Sequence, residues 1–268
     1  MDAYTCEPMM TVNQTDLDYL IATARAAGSE ILKVYETDFA VTRKDDASPL
    51  TEADLRSHHL ITRRLRERYA DTPILSEENS EESPYEVRRQ WREFWLVDPL
   101  DGTKEFIKRN GQFTVNIALI REGRPLAGVV LAPAIQQLYY ALEGHGAFKI
   151  ASGGATSRLA PPTKTNGDRL VIAGSLSHPT PEMDAFIAEQ RRKYKQVEFL
   201  PMGSSLKICL VAEGAADLYP RFGPTMEWDT AAAHAVAREA GRKVVAHGTT
   251  QELPYNKQSL LNGWFVVS

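Results

Sequence analysis

The sequence predicts an α/β (α+β) protein built in layers, and three observations point to it. The first half carries two long helical patterns and then a run of strand patterns separated by Gly- and Pro-containing turns. The second half alternates strands with helices. Between them, residues 151–168 are rich in Gly, Ser, Thr and Pro. Consecutive strands with short turns imply a meandering antiparallel sheet, and alternation implies a layered α/β unit. A shift in composition marks a junction. The expected parts are an N-terminal α+β domain over 1–155 and a C-terminal α/β domain over 156–268.

Asn13 to Tyr35 reads as the first helix, because Leu17, Leu20, Ile21, Ala24, Ile31, Leu32 and Tyr35 recur at helical spacing. Thr15-x-x-Asp18 resembles a capping box. Phe39 to Arg43 is strand-like. Thr51 is expected to cap a second helix that ends near Tyr69, with Leu55, Leu60, Ile61 and Leu65 on its buried side. Ile74 to Ser76 is a short strand leading to Glu77 and Glu78, and 80–90 reads as a charged, mobile loop. Strands then follow at Phe94 to Val97, Phe113 to Ile120, Leu126 to Leu131, Gln137 to Leu142 and Ala147 to Ile150. In the second half the strands are Leu170 to Gly174, Val197 to Pro201, Ala216 to Tyr219, Lys243 to Ala246 and Trp264 to Val267. The helices there are Pro181 to Tyr194, Ser204 to Glu213 and Trp228 to Ala240.

The 268 residues carry a net charge of −4, with 31 basic against 35 acidic side chains. Such a balance argues against a nucleic-acid polymer as partner. A small anionic ligand would instead need locally placed Lys and Arg, or metal ions. The two cysteines, Cys6 and Cys209, suggest neither a disulfide framework nor a zinc site, which favours a reducing compartment. Without a signal peptide or an apolar run of membrane-span length, the expectation is a cytoplasmic protein. Oligomeric state is left open.

The most informative run is Asp98-Pro99-Leu100-Asp101-Gly102-Thr103, delivered by the apolar stretch Phe94 to Val97. Pro99 cannot extend a strand ladder, so a turn is expected between the two aspartates. Their carboxylates can then face one spot with the Leu100 carbonyl between them. Convergent hard oxygens suit Mg²⁺, and the N–H groups of Gly102 and Thr103, opening a helical pattern, suit a phosphate. Further acids stand at strand or loop exits in both halves: Asp46, Glu77 and Asp229. Together they outline metal-assisted phosphate hydrolysis.

Taken in order and spacing, four segments resemble the inositol monophosphatase superfamily. They are Lys44-x-Asp46-x-Ser48-Pro49-Leu50-Thr51, Leu75-Ser76-Glu77-Glu78, Trp95 to Thr103, and Trp228-Asp229-Thr230-Ala231-Ala232. The resemblance covers nearly the whole chain and implies a layered α/β/α/β/α sandwich, of the inositol monophosphatase and fructose-1,6-bisphosphatase type. It implies Mg²⁺-dependent, lithium-sensitive phosphomonoesterase activity through a metal-activated water. Glu77, Asp98 and the Leu100 carbonyl would hold one ion, and Asp98, Asp101 and Asp229 a second, with a third near Glu77. Asp46 and Thr103 match the pair that orients and activates the water, with Glu77 beside them. One departure is Ala233, where the family usually has Gly.

Specificity is expected in the second half. Gly203-Ser204-Ser205-Leu206-Lys207 opens a helix with hydroxyls and a lysine, and Arg221 precedes Asp229 closely. Arg and Lys in place of a hydroxyl-binding acid point to a second phosphate on the substrate. These segments resemble the bacterial 3′(2′),5′-bisphosphate nucleotidase branch. That resemblance implies adenosine 3′,5′-bisphosphate as substrate, a by-product of sulfate assimilation, converted to AMP and phosphate. The bound phosphates would meet Glu77, Leu100, Asp101, Gly102, Thr103, Ser204, Ser205, Lys207, Arg221 and Asp229, with His178 near the adenine. Leu176 stands where relatives often have Arg. Some relatives attach peripherally to the inner membrane. Two alternatives stay open: an inositol or sugar monophosphatase, and a non-catalytic metal or nucleotide sensor.

Overall fold

A computed structural model describes residues 9–37, 41–43, 49–160, 167–175 and 180–268; for 41–43 and 49–51 it describes the backbone alone. Helices α1 (Gln14–Tyr35) and α2 (Glu52–Arg68) pack together across one face of a seven-stranded sheet. Its strands are β3 (Ile74–Ser76), β4 (Glu93–Asp101), β5 (Thr114–Arg121), β6 (Arg124–Ala132), β7 (Gln137–Leu142), β8 (Gly146–Ile150) and β9 (Thr156–Arg158). They lie side by side in chain order, with only β3 and β4 parallel. A hairpin of β1 (Val41–Arg43) and β2 (Pro49–Thr51) precedes α2.

The opposite sheet face is covered by α6 (Leu206–Ala212) and α7 (Glu227–Glu239). Beyond them come parallel β10 (Arg169–Gly174) and β11 (Gln196–Pro201), and the antiparallel trio β12 (Tyr219–Arg221), β14 (Phe265–Val267), β13 (Val244–Ala246). A parallel bridge between Ile172 and Leu218 joins the two groups. Helix α5 (Pro181–Lys193) packs against β11. The expected five layers, α/β/α/β/α, are therefore present. Side chains alternate along β4: Trp95 and Val97 enter the core under α1 and α2, Phe94 and Leu96 the core under α6 and α7.

Several elements differ from expectation for identifiable reasons. The cap of α1 is Asn13, whose side chain accepts from Thr15 N at 2.8 Å, while Asp16 accepts from Asn13 N at 3.0 Å. Asp16 also binds Arg68 and Tyr69 at 2.8 and 2.9 Å, tying the start of α1 to the end of α2. Leu55 is exposed, because the buried stripe of α2 runs through Ala53, Asp54, Ser57, His58, Ile61 and Leu65. Polar residues in that stripe answer to the backbone of β4, where Ser57 Oγ donates to Pro99 O at 2.8 Å. The charged stretch 80–90 contains the end of a 3₁₀ turn, Glu77–Glu82, and a short helix α3 (Tyr85–Arg88). Arg88 is buried there because carbonyls of a distant segment receive its guanidinium. The strand expected at Ala216 to Tyr219 begins only at Tyr219 and runs to Arg221.

Candidate active site

The chain does not turn at Pro99. Strand β4 continues through it, with Asp98 opposite Asn116 and Asp101 opposite Thr114, so three steps on one strand face two on the other. That extra residue is a β-bulge. Without it, residues three apart would point to opposite sheet faces; with it, both aspartates face one side. The Leu100 N–H donates to Asp98 Oδ1 at 3.1 Å and fixes the bulge. From the other half, Asp229 arrives in the first turn of α7, its carboxylate accepting from Met226 N at 2.8 Å. Ligand oxygens of Asp98, Asp101 and Asp229 lie within 4.8 Å of one another.

Like charges held this close in a dry setting resist ionisation. Burial, then the charges of Glu77, Asp101, Asp229 and Asp54, pushes the Asp98 carboxyl well above its usual range. Asp229 moves the same way, through burial and then Asp101 and Glu77. Burial also raises Asp101, opposed by Lys207 and by the Ser205 N–H, which donates at 2.6 Å. Three clustered carboxylates short of positive charge could hold a divalent cation, because oxygen donors of this kind suit Mg²⁺ or Mn²⁺.

The aspartates open onto a cavity of about 420 Å³, also lined by Glu77, Leu100, Gly102, Thr103, Ser204, Ser205, Lys207 and Arg221. Gly102 has φ +90°, and a Cβ there would stand 3.2 Å from Gln112 O, so glycine is what lets α4 (Thr103–Ile107) start at this point. Ser204 adopts φ +47°, a strained value for serine, and its buried Oγ has no hydrogen-bond partner among the described residues. Strain and an orphaned hydroxyl at a cavity wall are marks of a functional site. The Ser205 hydroxyl turns inward to Asn116 Oδ1 and Thr114 Oγ1, both at 2.9 Å, so Ser205 faces Asp101 through its N–H.

Lys207 is 6% exposed. Its Nζ donates to Ser204 O at 2.5 Å and sits 5.5 Å from the Tyr219 ring centroid. Burial lowers its pKa to about 8, assisted by Arg221 and opposed by Asp101. Arg221 donates to Pro224 O at 2.9 Å, while its buried Nε has no partner among the described residues. Asp46 and His178 lie outside the described residues. Sequence reasoning passed over Asp54, read as part of a capping segment yet buried close enough to influence Asp98. It also passed over Glu105, Tyr219 and Leu261 in the cavity wall. Glu105, two residues after Thr103 on α4, was within reach of motif reading; Leu261 carried no signal.

A site of this make, set between layered sheets and helices, defines a class. The chain belongs to the inositol monophosphatase family, whose model matches residues 13–263. Among its relatives is the 3′(2′),5′-bisphosphate nucleotidase CysQ of Escherichia coli, 47% identical over 255 residues, spanning 94% of this chain and 99% of that protein. The Haemophilus influenzae CysQ is 37% identical, over 97% and 94% of the two chains. The crystal structure of CysQ from Bacteroides thetaiotaomicron superposes with a TM-score of 0.84 at 45% identity, covering 95% of this chain and 97% of that one. The Thermotoga maritima inositol monophosphatase shares the fold at a TM-score of 0.77 and 23% identity, covering 95% and 92%.

Proposed function

We propose that this chain is a 3′(2′),5′-bisphosphate nucleotidase, hydrolysing adenosine 3′,5′-bisphosphate or its 2′,5′ isomer to AMP and phosphate. One observation carries the reading: a three-aspartate cluster shares a cavity with Lys207 and Arg221. The acids suit divalent cations and the scissile phosphate, and the two cations suit a second phosphate. A substrate with a single phosphate and otherwise neutral hydroxyls would bring no second anionic group to Lys207 and Arg221. High similarity to curated nucleotidases of this type supports the same conclusion.

On this reading Glu77, Asp98, the Leu100 carbonyl, Asp101 and Asp229 hold Mg²⁺, as two or three ions. When bound, the ions neutralise the carboxylates and act as Lewis acids on the phosphoryl oxygens. The chain's own groups do the rest. Asp46 and Thr103 orient the attacking water, and Gly102 and Thr103 receive phosphate oxygens. Ser205 holds Asp101 in place through its N–H, while the hydroxyl of Ser204 is available to a ligand. Lys207 and Arg221 neutralise the remote phosphate and fix the substrate's direction, and His178 contacts the base. The first part, 1–155, then supplies most cation ligands; the second, 156–268, supplies Asp229 and specificity.

No helix among the described residues is long and apolar enough to cross a membrane. Cysteine usage supports a cytoplasmic setting, in which peripheral attachment to the inner membrane is compatible with the same chemistry.

The test is phosphate release across nucleoside bisphosphates, inositol phosphates and sugar phosphates, with Mg²⁺ and with added Li⁺, for wild type and Asp46→Asn. Wild type should prefer adenosine 3′,5′-bisphosphate, lithium should inhibit, and the variant should lose at least about a hundredfold in kcat, at the lower end of what a positioned acid–base group contributes. Faster release from inositol 1-phosphate would replace the nucleotidase reading. An unchanged variant would remove Asp46 from the chemistry.

A further inference from the structure

Leu261 is a large apolar side chain, 48% exposed, on the rim of a cavity whose wall mixes acids, bases and hydroxyls with apolar residues such as Met226, Trp228 and Phe265. Its neighbours are fixed with unusual care. Residues Met226 and Leu261 form an antiparallel bridge. Glu227 N donates to Leu260 O at 2.9 Å, and Asn262 N donates to Thr225 O at 2.8 Å. Asn262 Nδ2 donates to Met226 O at 2.8 Å. The fully buried Glu227 carboxylate accepts from Asn256 N, Lys257 N and Lys257 Nζ at 2.6, 3.0 and 2.6 Å. From the far side Arg88 donates to the carbonyls of Lys257 and Gln258 at 2.6 and 2.8 Å.

This latch clamps the segment 256–262 to the start of α7, two residues before Asp229. The backbone of Leu261 is therefore held against the start of α7, and its side chain lines the same cavity as Asp98, Asp101 and Asp229. A rigid apolar surface beside a charged pocket is suited to the uncharged, flat portion of a ligand whose charged end lies deeper.

We propose that Leu261 is a specificity residue, the apolar wall against which the heterocyclic base of a nucleoside bisphosphate packs. The inference rests on the nucleotidase reading and deepens it. The measurement is the ratio of kcat/KM for adenosine 3′,5′-bisphosphate to that for ribose 3,5-bisphosphate, which keeps both phosphates and lacks the base. Leu261→Ser should lower this ratio about fivefold, equivalent to about 1 kcal/mol. Leu261→Met, which restores apolar area, should keep it within about twofold of wild type. A ratio unchanged in Leu261→Ser, or equal losses on both substrates, would overturn the wall. Failure of the underlying reading has its own signature: correctly folded wild type would release phosphate from neither compound, and the wall would fall with it.

Discussion

Replacing Lys207 by Met should make the substrate-free protein more stable while crippling its affinity. Burial at 6% exposure brings the ammonium from an ordinary 10.5 to about 8. Each pH unit of such displacement is worth about 1.4 kcal/mol, so keeping the charge inside costs the fold about 3 kcal/mol at neutral pH. Methionine matches the aliphatic stem and removes the charge. It also removes the donation to Ser204 O, worth about 1 kcal/mol. The net gain is about 2 kcal/mol, or a rise in Tm of about 4–8 °C for a chain of this size. The sign with pH follows from the lowered pKa. Between about 8 and 10.5 the unfolded chain binds the extra proton and the folded one does not, so wild type gains stability as pH rises through that window. The advantage of Lys207→Met should therefore be full at pH 7 and nearly gone at pH 9.5, where the charge costs only about 1.4 kcal/mol. Thermal unfolding in EDTA at those two pH values measures it. Phosphate release with Mg²⁺ should show KM for the bisphosphate raised at least about tenfold, the low end for a charge-assisted contact. A variant less stable than wild type at pH 7, or a gap that does not narrow with pH, would refute the account of Lys207 as a strained charge kept for binding.

Two further outcomes follow from the same cavity. Arg221→Ala should raise KM for adenosine 3′,5′-bisphosphate about 10- to 100-fold, the range of about 1.5–3 kcal/mol for a charge-assisted hydrogen bond. It should change KM for adenosine 3′-phosphate less than about threefold; equal effects would take Arg221 out of recognition. Mg²⁺ should raise Tm more at pH 8 than at pH 5.5. The carboxyls of Asp98 and Asp229 sit above their usual range, so in the metal-free fold ionising them costs stability as pH rises, and the cation recovers that cost. At a hundred times its Kd the ion adds about 2.7 kcal/mol. Asp98→Asn should flatten this pH dependence, and a wild-type shift identical at both pH values would argue against a coupled acid cluster.

What sequence reading could reach was set by how local each signal is. The layered class, the antiparallel meander from β5 to β8 and the spaced acids Asp98, Asp101 and Asp229 are legible locally, whereas the parallel β3–β4 pair was not foreseen and β9 lies in a stretch read as a junction. The device that aims two of those acids was misread. Pro99 suggests a turn, whereas β4 carries it within a bulge, and only the register against Asn116 and Thr114 reveals that. Leu55 looked buried because an apolar residue near a helix start usually is; the face was decided by Ser57 reaching Pro99 O across 42 residues. Arg88 looked like one more charge in a solvated run, and its partners are 168 to 170 residues away. Ser205 illustrates the same limit within the site: a hydroxyl beside a lysine reads as an anion contact, yet here it points to Asn116 and Thr114 while the backbone N–H serves Asp101. Side-chain direction depends on what a remote strand offers, and no window of sequence contains that.

The same remoteness bears on how α7 completes so costly a cluster with Asp229. Acids that repel one another must be held by something that does not depend on them. Helix α7 meets that need by lying nearly in contact with the sheet: a Cβ at Gly128 of β6 would stand 2.2 Å from Ala232 O. Ala231, Ala232 and Ala233 are all buried along this seam, so the helix presents only methyl groups where a larger side chain would lift it. Ala233, where the family usually has glycine, stays within that limit, one methyl wide. A helix seated on backbone rather than on flexible side chains has little freedom to tilt. Asp229, in its first turn, is then carried to within reach of Asp98 and Asp101 by the seating of the helix on the core. Packing thus opposes the mutual repulsion of the three carboxylates, the same repulsion that raises the Asp98 and Asp229 carboxyls.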